Sequence, residues 1–194
     1  MDRREAIKRV GMLLGGALSA STVAGVLGGC RAEPSATVYA PQTLSAPQDE
    51  LVTVLAELII PETDTPGAKA AGVNVFIDKM LGGWFKDDER AGFLDGLADV
   101  EARAQAAYGK AFPALNLDEQ TALLTELEDA AIAAMADPQA AAGAGRPFFS
   151  VLKELTLVGY YTSEIGATQE LRYERSPGRY DGCVPYADLG RAWA

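Results

Sequence analysis

Five times between residues 48 and 165, apolar side chains return at intervals of three and four residues, and four of those runs close on proline or glycine. No segment alternates with the period of two that a half-buried strand needs. This pattern constrains the chain most, because a helix with one apolar stripe is stable only when another helix covers it. The spacing predicts a first helix carrying Leu51, Val54, Leu55, Leu58 and Ile59, capped by Ser45-x-x-Gln48 with Pro47 in its first turn and ended by Pro61. A second carries Val73, Phe76, Ile77, Met80 and Leu81 and closes at Gly82-Gly83. A third starts near Asp87 and buries Phe93, Leu97, Val100 and Ala104. A fourth follows Asn116, with Glu119 reaching back to it, buries Leu123, Leu127, Ala130 and Ala134, and breaks at Asp137-Pro138. A fifth runs from about Pro147 to Ile165 with Phe148, Phe149, Leu152, Leu155, Thr156, Gly159 and Tyr160 on one broad face, and Gly166 as its stop. The expected fold class is therefore all-α, a bundle of about five helices with an irregular tail over residues 167–194.

Ahead of this bundle stands a different kind of segment. Arg3 and Arg4 precede an apolar run from Val10 to Gly29, of which six residues are glycine. At about 1.5 Å per residue the run is long enough to span a hydrocarbon core, but its small side chains gain little on transfer into lipid. A basic start, a weak apolar middle and small residues at the end read as an export signal rather than a permanent anchor. Residues 2–8 resemble the twin-arginine pattern, and Leu27-Gly28-Gly29-Cys30 resembles a bacterial lipobox in which Cys30 takes the lipid and becomes the mature N-terminus. An uncleaved helix is the alternative. The expected organisation is residues 1–29 as export signal, 30–47 as a Pro-, Ser- and Thr-containing tether, and 48–194 as the helical domain, located in the periplasm.

Charge and composition remove several function classes. The whole chain carries −10 at pH 7, and without the leader's four basic and two acidic residues the remainder carries −12. Such a chain repels nucleic acid, whose binding depends on neutralised phosphates. It has no histidine, hence neither the usual general base nor the commonest metal and haem ligand. Neither cysteine sits in a haem-attachment or metal motif, and no glycine-rich phosphate loop is present. The carboxylate clusters at Asp87-Asp88-Glu89 and at Glu126, Glu128 and Asp129 fall at helix starts or on polar faces, where a solvated role suffices. No catalytic, cofactor or metal residue is therefore assigned to this chain.

The last thirty residues bring together Tyr173, Tyr180, Tyr186, Trp193 and four arginines without a helical period. Those residue types dominate binding hot spots, although they also serve to fold a tail over its own core. Two stretches carry a resemblance. Residues 59–81, with Pro61, Asp64, Pro66, Gly67, Ala71, Gly72, Val73 and Asp78, form one, and residues 155–186 form the other, with Gly159, Tyr160, Tyr161, Gly166, Tyr173, Pro177, Gly178, Tyr180, Cys183 and Pro185. Together they are similar to the gluconate 2-dehydrogenase subunit 3 family.

The resemblance implies a small, non-catalytic subunit of a membrane-associated sugar or polyol dehydrogenase. Its partner would be a large flavoprotein holding FAD, with a cytochrome c subunit as a further partner carrying haem. The twin-arginine leader would then let this chain escort a folded, flavin-loaded partner across the membrane. A free-standing lipoprotein adaptor without a redox partner is the alternative. The expected partner-binding residues are Tyr160, Tyr161, Tyr173, Arg175, Arg179, Tyr180, Cys183 and Tyr186. If Cys30 is lipidated, Cys183 is the remaining cysteine thiol, open either to a disulfide with the large subunit or to burial as a thiol; a Cys183–Cys30 bond is possible only if lipidation fails.

Overall fold

The computed structural model describes residues 39–136, 145–176, 178 and 182–194, together with Arg4, Glu5 and Lys8. The chain divides into two units, residues 1–39 and residues 40–194, and all the helices below belong to the second. They are α1 (Ala46–Ile59), α2 (Val73–Gly83), α3 (Asp87–Tyr108), α4 (Leu117–Ala136), α5 (Phe148–Tyr161) and the short α6 (Tyr186–Leu189), with a 3₁₀ turn at Phe112–Ala114 and a π-helical turn at Gly166–Glu170. No strand occurs among the described residues; the all-α class stands.

The caps explain where the helices begin. The Ser45 N–H donates to Gln48 Oε1 at 2.9 Å, and the Ser45 hydroxyl reaches the same oxygen at 2.8 Å. Asn116 and Glu119 satisfy each other reciprocally, Glu119 N–H to Asn116 Oδ1 at 2.9 Å and Asn116 N–H to Glu119 Oε2 at 3.0 Å. At the start of α3, the Lys86 N–H donates to Glu89 Oε2 at 3.0 Å.

Packing has a hub. Helix α5 touches α1, α2, α3 and α4, and α1 in turn packs on α2, α3 and the 3₁₀ turn. Leu152 on α5 and Leu55 on α1 are fully enclosed. Gly159 lets α2 approach α5 closely: a Cβ there would stand 2.8 Å from the Phe76 ring. Phe76 thus covers the glycine and remains half-buried, as does Ile59; both pack on the core without being sealed inside it.

Two expected burial patterns and one helix end shift. On α1 the sealed residues are Leu51, Val52, Leu55 and Ala56, while Val54, Leu58 and Ile59 are half-buried, because neighbours close on α1 from several sides rather than along one stripe. On α4 the buried line is Gln120, Leu123, Leu127 and Ala131; Ala130 is exposed and Ala134 half-buried, because packing against α5 and α3 sets which side is covered. Helix α5 stops at Tyr161 instead of Ile165. The Ser163 hydroxyl donates to the Tyr160 carbonyl at 2.6 Å and accepts the Gly166 N–H at 3.0 Å, which turns the chain at that point. Gly166 does not end the helix; it begins the π turn and lies against the Tyr160 carbonyl, where any Cβ would collide.

The folded unit also starts earlier than the tether's expected end at residue 47. The buried Asp78 carboxylate accepts the N–H groups of Gln42 (2.9 Å), Thr43 (2.9 Å) and Leu44 (2.7 Å), and Leu44 is a core residue.

Candidate partner-binding surface

The loop from Ile60 to Gly72 and the chain after α5 are far apart in sequence, yet they meet at one end of the bundle. The two arms of the loop are tied together by the Glu57 carboxylate, which accepts the Glu62 N–H at 3.0 Å and the Lys69 N–H at 2.7 Å. Ala68 N–H donates to the Ile60 carbonyl at 2.9 Å, and Ala68 is completely enclosed. Two bonds then cross to the C-terminal half. Tyr160 donates its hydroxyl to the Pro66 carbonyl at 2.8 Å, and Thr65 donates to Glu170 Oε2 at 2.8 Å. The two quoted stretches are thus one assembly, fixed by side chain-to-loop bonds that no short-range pattern announces.

The expected partner-binding residues divide on their exposure. Tyr160, expected at a partner surface, is instead 1% exposed: its ring fills the core and its hydroxyl is spent on Pro66. Tyr161, next along the helix, faces outward at 40% exposure and meets the Tyr160 ring edge-on, with centroids 5.3 Å apart. Tyr173 and Tyr186 are exposed, as are Arg175 and Cys183. Arg179 and Tyr180 lie outside the described residues, as do Arg3 and Cys30; Arg4 is exposed.

The tail has internal order of its own. Arg172 and Trp193 form a parallel bridge, with the Arg172 N–H donating to Ala192 O at 2.8 Å and the Ala194 N–H donating to Arg172 O at 3.1 Å. The Arg172 guanidinium lies 4.5 Å over the Trp193 ring, and Arg191 donates to the Gln169 carbonyl.

A second apolar surface escaped sequence reading. Between α4 and α5 runs a groove of about 510 Å³ lined by Ala131, Ile132, Met135, Phe149, Leu157 and Val158 and edged by the Lys153–Glu128 ion pair. Ile132, Met135, Leu157 and Val158 are all exposed. Its signal was α5 itself, apolar on almost every side, which a five-helix bundle does not cover completely. Trp84 at the end of α2, 80% exposed, was likewise passed over.

The carboxylates at Asp87-Asp88-Glu89 are exposed, and Glu128 is engaged with Lys153 at 2.6 Å. Among the described residues no group of three or more His, Cys, Asp and Glu side chains gathers to hold a metal ion, and no helix is long and apolar enough to cross a membrane.

Comparison with known proteins gives one match. The family model described as gluconate 2-dehydrogenase subunit 3 aligns with residues 46–178, a span that starts with α1 and takes in both converging stretches as far as Gly178. No curated protein and no solved structure matches the chain.

Proposed function

The chain belongs to the gluconate 2-dehydrogenase subunit 3 family, and from that premise we propose that it is the non-catalytic small subunit of a periplasmic, flavin-dependent sugar or polyol dehydrogenase. The family's name makes its members subunits of a dehydrogenase complex. In this reading the large subunit holds FAD and the substrate, a cytochrome c subunit holds haem, and this chain supplies a docking surface and the address. Arg3 and Arg4 direct export by the twin-arginine route, and lipidated Cys30 holds the assembly at the membrane.

One observation carries the proposal: the family match covers both halves of an assembly joined by the Tyr160–Pro66 and Thr65–Glu170 bonds. Its outward side chains, Tyr161 and Tyr173, are aromatics left in solvent. Aromatic residues exposed on a rigid base favour protein contact, since little side-chain freedom is lost on binding. Cys183, exposed further along the tail, is where a disulfide to the large subunit would run.

The test is purification of the tagged full-length chain from its native membrane. We expect a large flavin-bearing protein to accompany it, and Arg3→Lys with Arg4→Lys to leave the dehydrogenase activity in the cytoplasm. A chain that purifies alone, with periplasmic activity unchanged by the double substitution, overturns the proposal in favour of a free-standing adaptor. Non-reducing electrophoresis of the same complex reads the Cys183 bridge directly.

A further inference from the structure

A cleft of about 940 Å³ opens where the end of α2, the start of α3 and the start of α5 come together. Its buried side is the ring pair Phe93 and Phe148. Phe148 reaches this place only because residue 96 is glycine: a Cβ on Gly96 would stand 2.3 Å from its ring. Met80, Phe85 and Val151 line the cleft half-buried, and Trp84 lines it while 80% exposed. Tryptophan is the residue type that most often anchors a protein contact, and one left this far in water has apolar area still to bury. Three charged residues also line the cleft: Asp88, Glu89 and Arg146. Arg146 is spent on Glu154, as neighbouring Asp87 is on Arg90. Among the described residues the Asp88 carboxylate has no ion pair, and Glu89 accepts the Lys86 N–H without losing its charge. Lys86 itself does not line the cleft. Two uncompensated carboxylates thus stand beside an aromatic face, on a bundle whose residues 40–170 carry eight basic against twenty-one acidic residues.

We propose that this cleft receives an arginine of the large subunit, carried on an apolar segment: the guanidinium stacks on Trp84 and pairs with Asp88 and Glu89, while apolar neighbours fill the space over Phe93 and Phe148. The proposal rests on the accessory-subunit reading above and adds to it a contact beside α2 and α3. Charge selects the occupant. An acidic segment is repelled by the two carboxylates, and an uncharged one strips them of water without compensation. Arginine suits the site better than lysine. Its planar head lies flat on an indole, its forked donors reach two carboxylates, and its weaker hydration makes entry into an apolar cleft less costly. The cleft is larger than one side chain, which is why the arginine comes with apolar neighbours.

The experiment measures affinity for the detergent-solubilised large subunit, at low and at high salt, for the full-length native chain and three variants. Trp84→Ala should weaken binding roughly thirtyfold, as the loss of an anchoring ring does. Trp84→Phe keeps an aromatic face and should lose no more than about threefold. Asp88→Asn with Glu89→Gln should weaken binding roughly tenfold at low salt and less at high salt. That variant removes only charge, since the glutamine oxygen can still accept the Lys86 N–H. Thermal unfolding of each free variant should match the native chain, because all three positions are exposed. Native affinity in every variant overturns the cleft as a contact. Weakening by Trp84→Ala with none from the carboxylate variant overturns the arginine and leaves an apolar occupant. Tight, saturable quenching of Trp84 by tetramethylammonium in the free Trp193→Phe chain, where Trp84 is the remaining tryptophan, assigns the cleft to a small organic cation and overturns the proposal too. If the native chain binds no flavoprotein at all, the fault lies with the accessory-subunit reading, and the proposal falls with it.

Discussion

The bundle and the tail solve opposite problems with the same residue types. Inside the bundle an aromatic ring fills space: Phe93 and Phe148 meet at 5.1 Å, Phe112 on the 3₁₀ turn is fully buried, and Tyr160 spends its hydroxyl inside the domain, while Trp84 and Tyr108 at helix ends stay in solvent. In the tail Tyr173 and Tyr186 stand mostly in solvent, at 59% and 67% exposure. Adjacent Tyr160 and Tyr161 mark the boundary, one turned in and one turned out. The lesson is that an aromatic residue declares nothing until its helix face is known. A burial pattern makes a stable domain, and the same chemistry left uncovered makes a surface for another chain.

Four substitutions test that division, in falling order of expected effect on stability. Leu152→Ala removes a side chain with no solvent contact from the helix that touches all four others, and should cost about 2–5 kcal/mol in denaturant unfolding. A cost below about 1 kcal/mol would mean that α5 is not the hub. Asp78→Ala strands the amide donors of residues 42–44 and should cost about 2–3 kcal/mol. Limited proteolysis should then cut ahead of α1 first; uniform loss of protection along the chain would place the role of Asp78 elsewhere.

Tyr160→Phe keeps the ring and removes only the bond to Pro66, for about 1 kcal/mol. An unchanged melting profile would show that the 60–72 loop is held by Glu57 and Glu170 alone. Tyr186→Ala, on the other side of the division, should change unfolding by no more than about 0.5 kcal/mol while lowering recovery of the large subunit. If instead it unfolds the bundle, the tail belongs to the core and the contrast drawn above collapses.

Much of the bundle was legible because its signals are local. A cap such as Asn116 with Glu119 lies within one turn, and the stripe Phe93, Leu97, Val100 and Ala104 on α3 needs only the helical period to be read. What could not be read depends on neighbours. The shift of burial on α1 from Val54 to Val52 follows from which helices surround it, and Phe112 joins the core from a loop with no period at all. Tyr160 carried two conflicting signals: the helical period put it on the apolar face of α5, where it is buried, while its place in a tyrosine-rich stretch suggested a partner surface. Only its hydroxyl bond to Pro66 depended on the tertiary fold.

By itself, the sequence determined the helical class, most of the helix starts, the acid bundle and the near-neutral, arginine-bearing tail, because propensity, capping and charge act over a few residues or none. Only tertiary structure decided that the Pro66 carbonyl and Glu170 become partners of Tyr160 and Thr65, and that the chain's end returns to Arg172. Such contacts join residues dozens of positions apart. Their energy appears only after the helices have packed and the loops have closed, so no local run of residues encodes it.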